Sequence, residues 1–134
     1  MKTKWQRTFA YSGTVDLNLL ISMKPEEIVV ACCLVNSASS GVASERITAA
    51  DFEDTELGEV FSACVDHFKA NGSGLSERAI LGHLQVQGVL DKLGTSGQVA
   101  SLVKAGRIEQ RTIGYHASQV ASASRTRQAQ SVLH

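Results

Sequence analysis

The sequence predicts a single all-α domain, and three observations predict it. Only 5% of its 134 residues are aromatic against 43% hydrophobic, so the core is built from Leu, Ile, Val and Ala rather than the β-branched and aromatic sets of a sandwich. One proline in the whole chain suits long helices, which interior proline breaks. Leu57, Val60, Phe61, Cys64, Val65 and Phe68 recur as one stripe of a 3.6-residue period. The length supports one core, and no linker or repeat divides it.

The elements follow in order. In TVDLNLLIS, Val15, Leu17, Leu19 and Ile21 alternate with Asp16, Asn18 and Leu20, which predicts a strand or extended arm within residues 1–23. Pro25 sits at a helix first turn with Glu26 and Glu27 behind it. The run IVVACCLV that follows is apolar nearly all round, a central core helix. Serines and Gly41 end it, and a short helix is expected around Val42–Ile47. Asp54 or Thr55 caps the striped helix and Asn71-Gly72 stops it. Ser76 opens a helix carrying Ile80, Leu81 and Leu84 that closes near Gly88. Thr95 or Ser96 opens another with Val99, Leu102 and Val103, expected to stop at Gly106. The last runs from about Thr112 to the terminus, with Ile113, Ala117, Val120, Ala121 and Ser124 on one face.

Candidate chemistry is thin. None of the eleven glycines precedes a lysine, so there is no phosphate-binding loop of the P-loop kind. Gly94–Gly97 reads as a turn between helices rather than an anion site. Cys64, His67 and His83 could supply three metal ligands, but Cys64 belongs to the apolar stripe and a fourth ligand is missing. Cys33 lies in the most hydrophobic helix, which favours an inert thiol. The carboxylates of Asp51, Glu53, Asp54, Glu56 and Glu59 crowd an exposed first turn, where nothing desolvates one relative to another as acid–base work needs. The expectation is a protein that is not an enzyme and takes no metal or cofactor.

The zero net charge hides a segregation. Residues 1–24 carry Lys2, Lys4, Arg7 and Lys24 against Asp16, a balance of +3. Residues 25–103 hold eleven acids and four bases, a balance of −7, and residues 104–134 return to +4. Such ends can pair within the molecule, across two copies, or with other partners. Arg107, Arg111, Arg125 and Arg127 with Tyr115 and His116 make a modest candidate patch for nucleic acid. No run approaches a membrane span or a signal peptide, and three cysteines without a CxxC pair fit a reduced state in the cytoplasm.

ITAADF (Ile47–Phe52), Val60-Phe61, the ANGSGLS turn (Ala70–Ser76) and GVLDKLG (Gly88–Gly94) stand in the order and spacing of a known pattern. Tyr115 and Val120 ahead of Arg125 and Arg127 continue it. From Glu26 onward the chain resembles the N-terminal domain of DnaB-family replicative helicases. It departs from that pattern in reducing a Glu-Ala-Glu opening to Glu26-Glu27, in lacking the second glycine after the Leu-Asp turn, and in lacking a proline before the last helix.

The resemblance implies a helical domain over residues 24–134, a small bundle followed within it by a C-terminal helical hairpin; residues 1–23 fall outside it and are expected to be an added arm. It implies a homodimer through that hairpin, for which Ile113, Ala117, Val120, Ala121 and Ser124 offer the close-packing face. It also implies contacts with a replicative helicase, primase or loader, with Arg107, Arg111, Tyr115, Arg125 and Arg127 as candidate partner or nucleic-acid residues. The chain ends where the family's linker and motor begin, so the expectation is a free-standing protein, for instance phage-encoded, or an excised fragment. The alternative is a small helical DNA-binding or regulatory protein using its basic C-terminal region.

Overall fold

The computed structural model describes residues 17–132, and these are helical with no strand among them. The segment expected to be extended is a short helix, α1 (Leu17–Ser22). Leu17, Leu20 and Ile21 satisfy a helical spacing as well as the alternation does, and Leu20, which spoils the alternation, is the residue that packs on the core. Val15, the first residue of that alternation, lies outside the described residues, as do Leu133 and His134 at the end of the last helix.

Helix α2 (Pro25–Val35) is the centre of the molecule. Pro25 occupies its first turn, and the buried Glu27 carboxylate accepts from the Lys24 backbone N–H at 3.1 Å. Val29 to Leu34 are entirely shielded from solvent, which only a helix surrounded by others achieves. Its end is set by Asn36, not by the serines and Gly41. Asn36 is extended (φ −148°, ψ 111°), and its side chain accepts from Ala38 N at 3.0 Å to open α3 (Ser37–Ser44) at once. Ser37, Ser39 and Ser40 are buried small residues that let α3 lie close to its neighbours. Gly41 faces the Phe68 ring, and an added Cβ would stand 2.6 Å from its Cζ, so that the ring would have to shift.

A 3₁₀ turn (Ala49–Asp51) leads to α4 (Thr55–Asn71), capped by Asp54, whose carboxylate accepts from Glu56 N and Leu57 N. Gly72 closes it with φ 78°. Five of the six stripe residues are buried and Phe68 is half-buried, as the period predicts. Ser76 caps α5 (Glu77–Val86), and a second 3₁₀ turn (Leu90–Leu93) drives Leu93 into the core. Thr95 caps α6 (Ser96–Glu109), which does not stop at Gly106 but runs through it. A last 3₁₀ turn (Gln110–Thr112) joins α6 to α7 (Ile113–Val132). These two helices follow one another across a tight turn, but both pack on α2 far more than on each other. No helix is long and apolar enough to cross a membrane among the described residues.

Candidate interaction surface

The face of α7 expected to meet a second copy is used inside the chain. Ile113, Ala117, Val120 and Ser124 are buried and Ala121 is half-buried, packed against α2, α3 and the Ala49–Asp51 turn. Ser124 donates to the Asp51 carboxylate at 2.7 Å, which fixes α7 to the turn that precedes α4. Small residues did permit close helix approach, but the partner is this chain's own bundle. The opposite side of α7 is left facing outward.

That other face is an exposed ridge. From Arg111 through Tyr115, Ser118, Ser122 and Arg125, residues spaced three and four apart look outward. Tyr115 is 62% exposed, held by its edge against the His116 ring at 5.3 Å, and its phenol accepts from Gln119 Nε2 at 2.7 Å. His116 is anchored beneath by Glu109 and Thr112, at 3.2 and 3.1 Å. Arg46 reaches over from the end of α3 to the Gly114 carbonyl (2.6 Å) and Ser118 Oγ (3.1 Å), bordering the ridge. Ile108, near the end of α6, is 57% exposed. Sequence reasoning missed Arg46, Ser118, Gln119, Ser122 and Ile108, because nothing local says which side of α7 faces water.

The five candidate contact residues separate into two groups. Arg111, Tyr115 and Arg125 lie on the ridge, with Arg125 reaching only Ser122 at 3.2 Å. Arg107 makes a bidentate pair with Glu77 at 2.8 and 2.6 Å, which fastens α6 to α5 and holds the Glu77 carboxyl below its usual range. Arg127 donates to the Asp51 carbonyl at 2.6 Å and lies 3.8 Å from Glu53. Neither presents a free guanidinium to a phosphate backbone.

Beside the ridge, a cleft of about 430 Å³ opens between the start of α2, the Glu53–Asp54 segment and the C-terminal half of α7. Glu26 spans its wall, accepting from Glu53 N (2.8 Å) and Asp54 N (3.2 Å). Leu57 and Val120 supply an apolar floor.

The acids of residues 51–59 are more engaged than an open, solvated turn. Asp51 accepts from Thr48 N at 2.8 Å as well as from Ser124, and Glu59 pairs with Lys92 at 2.7 Å. Cys64 is buried while the His67 and His83 rings stack face to face, centroids 3.9 Å apart. Among the described residues no group of three or more His, Cys, Asp or Glu side chains is placed to hold a metal ion. Partial burial, and then the charge that His83 would carry, hold His67 below the ordinary histidine value. The stability this neutral ring contributes is present above about pH 6.5 and is lost as pH falls through the lowered value. Replacing His83 with Gln is expected to raise the His67 value toward 6.5, read from the pH dependence of its ring resonances by NMR; an unchanged titration would remove His83 as a cause.

The family model described as the DnaB-like helicase N terminal domain matches residues 18–122, which spans α1 to the middle of α7. No curated protein and no solved structure matches the chain. The all-helical architecture of the described residues is consistent with that match. The chain belongs to the DnaB-like helicase N-terminal domain family, a replication-associated, helicase-related domain.

Proposed function

We propose that the chain is a non-enzymatic DNA-replication module that binds a replicative helicase, primase or loader. The observation that carries this reading is the outward ridge of α7, where Tyr115 and two arginines stand exposed on a helix whose other side is core. Tyrosine and arginine are the residue types that most often dominate protein interfaces. We infer that pairing of two copies, which the family suggests in general, uses this same outward side, a reading supported by the burial of the inward face.

The test is binding of the purified chain to helicase, primase and loader from the same source, each measured separately. Tyr115→Ala with Arg125→Glu is expected to weaken the productive pair roughly 30-fold, the size of an interface truncation worth about 2 kcal/mol. Circular dichroism should be unchanged, since both side chains are exposed. Equal binding by the double variant, or none by the parent chain to any of the three, sinks the reading. Light scattering of the same variant reports on self-association.

Direct DNA binding is the weaker alternative, because Arg107 and Arg127 are engaged within the fold. A gel shift that persists at about 200 mM salt would reverse that order, since phosphate-driven binding falls steeply with salt.

A further inference from the structure

A hollow of about 340 Å³ lies on the ridge itself, lined by Arg46, Ser118, Ala121, Ser122 and Arg125. Its polar side chains are two guanidinium groups and two hydroxyls, with no carboxylate among them. Arg46 donates through Nη1 to the Gly114 carbonyl and to Ser118 Oγ, which leaves the hydrogens of its Nε and Nη2 unused. Arg125 donates through Nη2 alone, to Ser122 Oγ. Each serine oxygen already accepts from an arginine, so each keeps its own hydrogen to donate. Among the described residues neither arginine meets an acid, whereas Arg107 and Arg127 both do.

Gly114 helps to set this arrangement. A Cβ there would stand 2.7 Å from Arg46 Nη1, so a side chain would push the guanidinium off the carbonyl that seats it. A neighbouring hollow, lined by Pro25, Tyr115, Ser118, Gln119 and Ser122, shares both serines with the first. It brings the exposed Tyr115 ring beside the row of donors. The two hollows form one surface, with only hydrogen-bond donors at one end and an aromatic ring at the other.

We propose that this surface binds a phosphomonoester carrying a flat ring, of which a nucleoside monophosphate is the common case. The phosphate sits between Arg46 and Arg125, and the ring stacks on Tyr115. A phosphomonoester carries nearly two negative charges at neutral pH, which two guanidinium groups match; a phosphodiester carries one. Guanidinium forks suit phosphate oxygens, and aromatic side chains stack on any base. The site overlaps the ridge of the partner reading but is tested in the chain alone, so either can fail without the other.

Calorimetric titration of the full chain with dAMP, deoxyadenosine and inorganic phosphate tests this. dAMP is expected to bind roughly 10-fold or more tighter than deoxyadenosine, the size of a charge-assisted contact, and tighter than inorganic phosphate. Arg46→Gln and Arg125→Gln should each weaken dAMP roughly 10-fold, and Tyr115→Ala roughly 5-fold or more. Circular dichroism should stay unchanged, because all three side chains are exposed. Gly114→Ala should also weaken binding, without altering any charge, by displacing Arg46. Arg78→Gln, exposed on α5, should bind as the parent does. In NMR spectra the Nε–H resonances of Arg46 and Arg125, and not that of Arg78, should shift as dAMP is added. Absence of binding at about 10 mM dAMP, or binding no tighter than deoxyadenosine or inorganic phosphate, would overturn the proposal. So would unchanged affinity in the arginine, Tyr115 or Gly114 variants, or an equal loss in Arg78→Gln. An unphosphorylated oligonucleotide that binds at least as tightly as dAMP would point to a strand's phosphodiesters and overturn it as well.

Discussion

Gly106→Ala is expected to destabilise the fold by roughly 2–3 kcal/mol, and Gly106→Leu by more. Glycine in a helix interior is ordinarily a weakness, and alanine there improves stability by about 0.5–1 kcal/mol. The sign reverses here because α6 crosses α2 at this residue. A Cβ on Gly106 would stand 2.1 Å from the Ala31 carbonyl oxygen and 2.6 Å from its carbon. Those are backbone atoms in the middle of the most buried helix, so relief means moving α2 and everything packed on it. Gly82 is the internal control. It lies in α5, exposed, with nothing within 4 Å of an added Cβ, so Gly82→Ala is expected to stabilise by about the ordinary increment. Urea denaturation of the two variants beside the parent chain measures both. A neutral or stabilising Gly106→Ala would mean that α2 and α6 are farther apart than described.

Gly106 also shows where the sequence stopped being legible. A glycine late in an apolar helix supports two readings, a stop or a close crossing, and only the neighbouring helix decides between them. Helix α4 was readable because its evidence is local: a 3.6-residue stripe, an Asp54 cap and a Gly72 stop within twenty residues. Helix α1 failed for the opposite reason, since Leu17, Leu20 and Ile21 in so short a run fit a strand and a helix alike. Asn36 was overlooked behind the more obvious serines and Gly41, although a capping side chain in extended backbone is a sharper break than either.

The candidate site was the least legible part, because each of its features is a long-range fact. Small residues on α7 announce close packing without naming the neighbour, and that neighbour is the chain's own bundle. Arg127 is engaged by Asp51, 76 positions away, and Arg107 by Glu77, 30 positions away. Subtracting both reduces a row of basic residues to Arg111 and Arg125 around Tyr115. The family resemblance does not depend on those surface assignments: it is read from the turns and core pairs of residues 47–94, and the family model matches residues 18–122.

Alkaline solution should unfold this protein through its three thiols. Cys32, Cys33 and Cys64 are buried and free, two of them in α2 and one in α4. Burial pushes the Cys33 thiol up to about 12. Burial first, and then proximity to Cys33, raise Cys32 and Cys64 as well. In the unfolded chain all three ionise near pH 9, whereas in the fold they stay neutral. The folded values lie above the unfolded ones, so the stability is complete below pH 9 and is lost as pH rises beyond it. Each thiol then contributes a slope of about 1.4 kcal/mol per pH unit, and three together remove about 4 kcal/mol by pH 10. That approaches the whole stability of an ordinary domain, about 5–15 kcal/mol. Urea midpoints measured under reducing conditions from pH 7 to 10.5 should fall accordingly. Lysine and tyrosine titration is common to both chains, so comparison with a Cys32→Ala, Cys33→Ala, Cys64→Ala variant isolates the thiols. The variant should start less stable at pH 7, having lost three buried sulfurs, and should decline more gently above pH 9. Parallel declines would show that the thiols are solvated in the fold, and with them the tight centre of α2 would have to be given up.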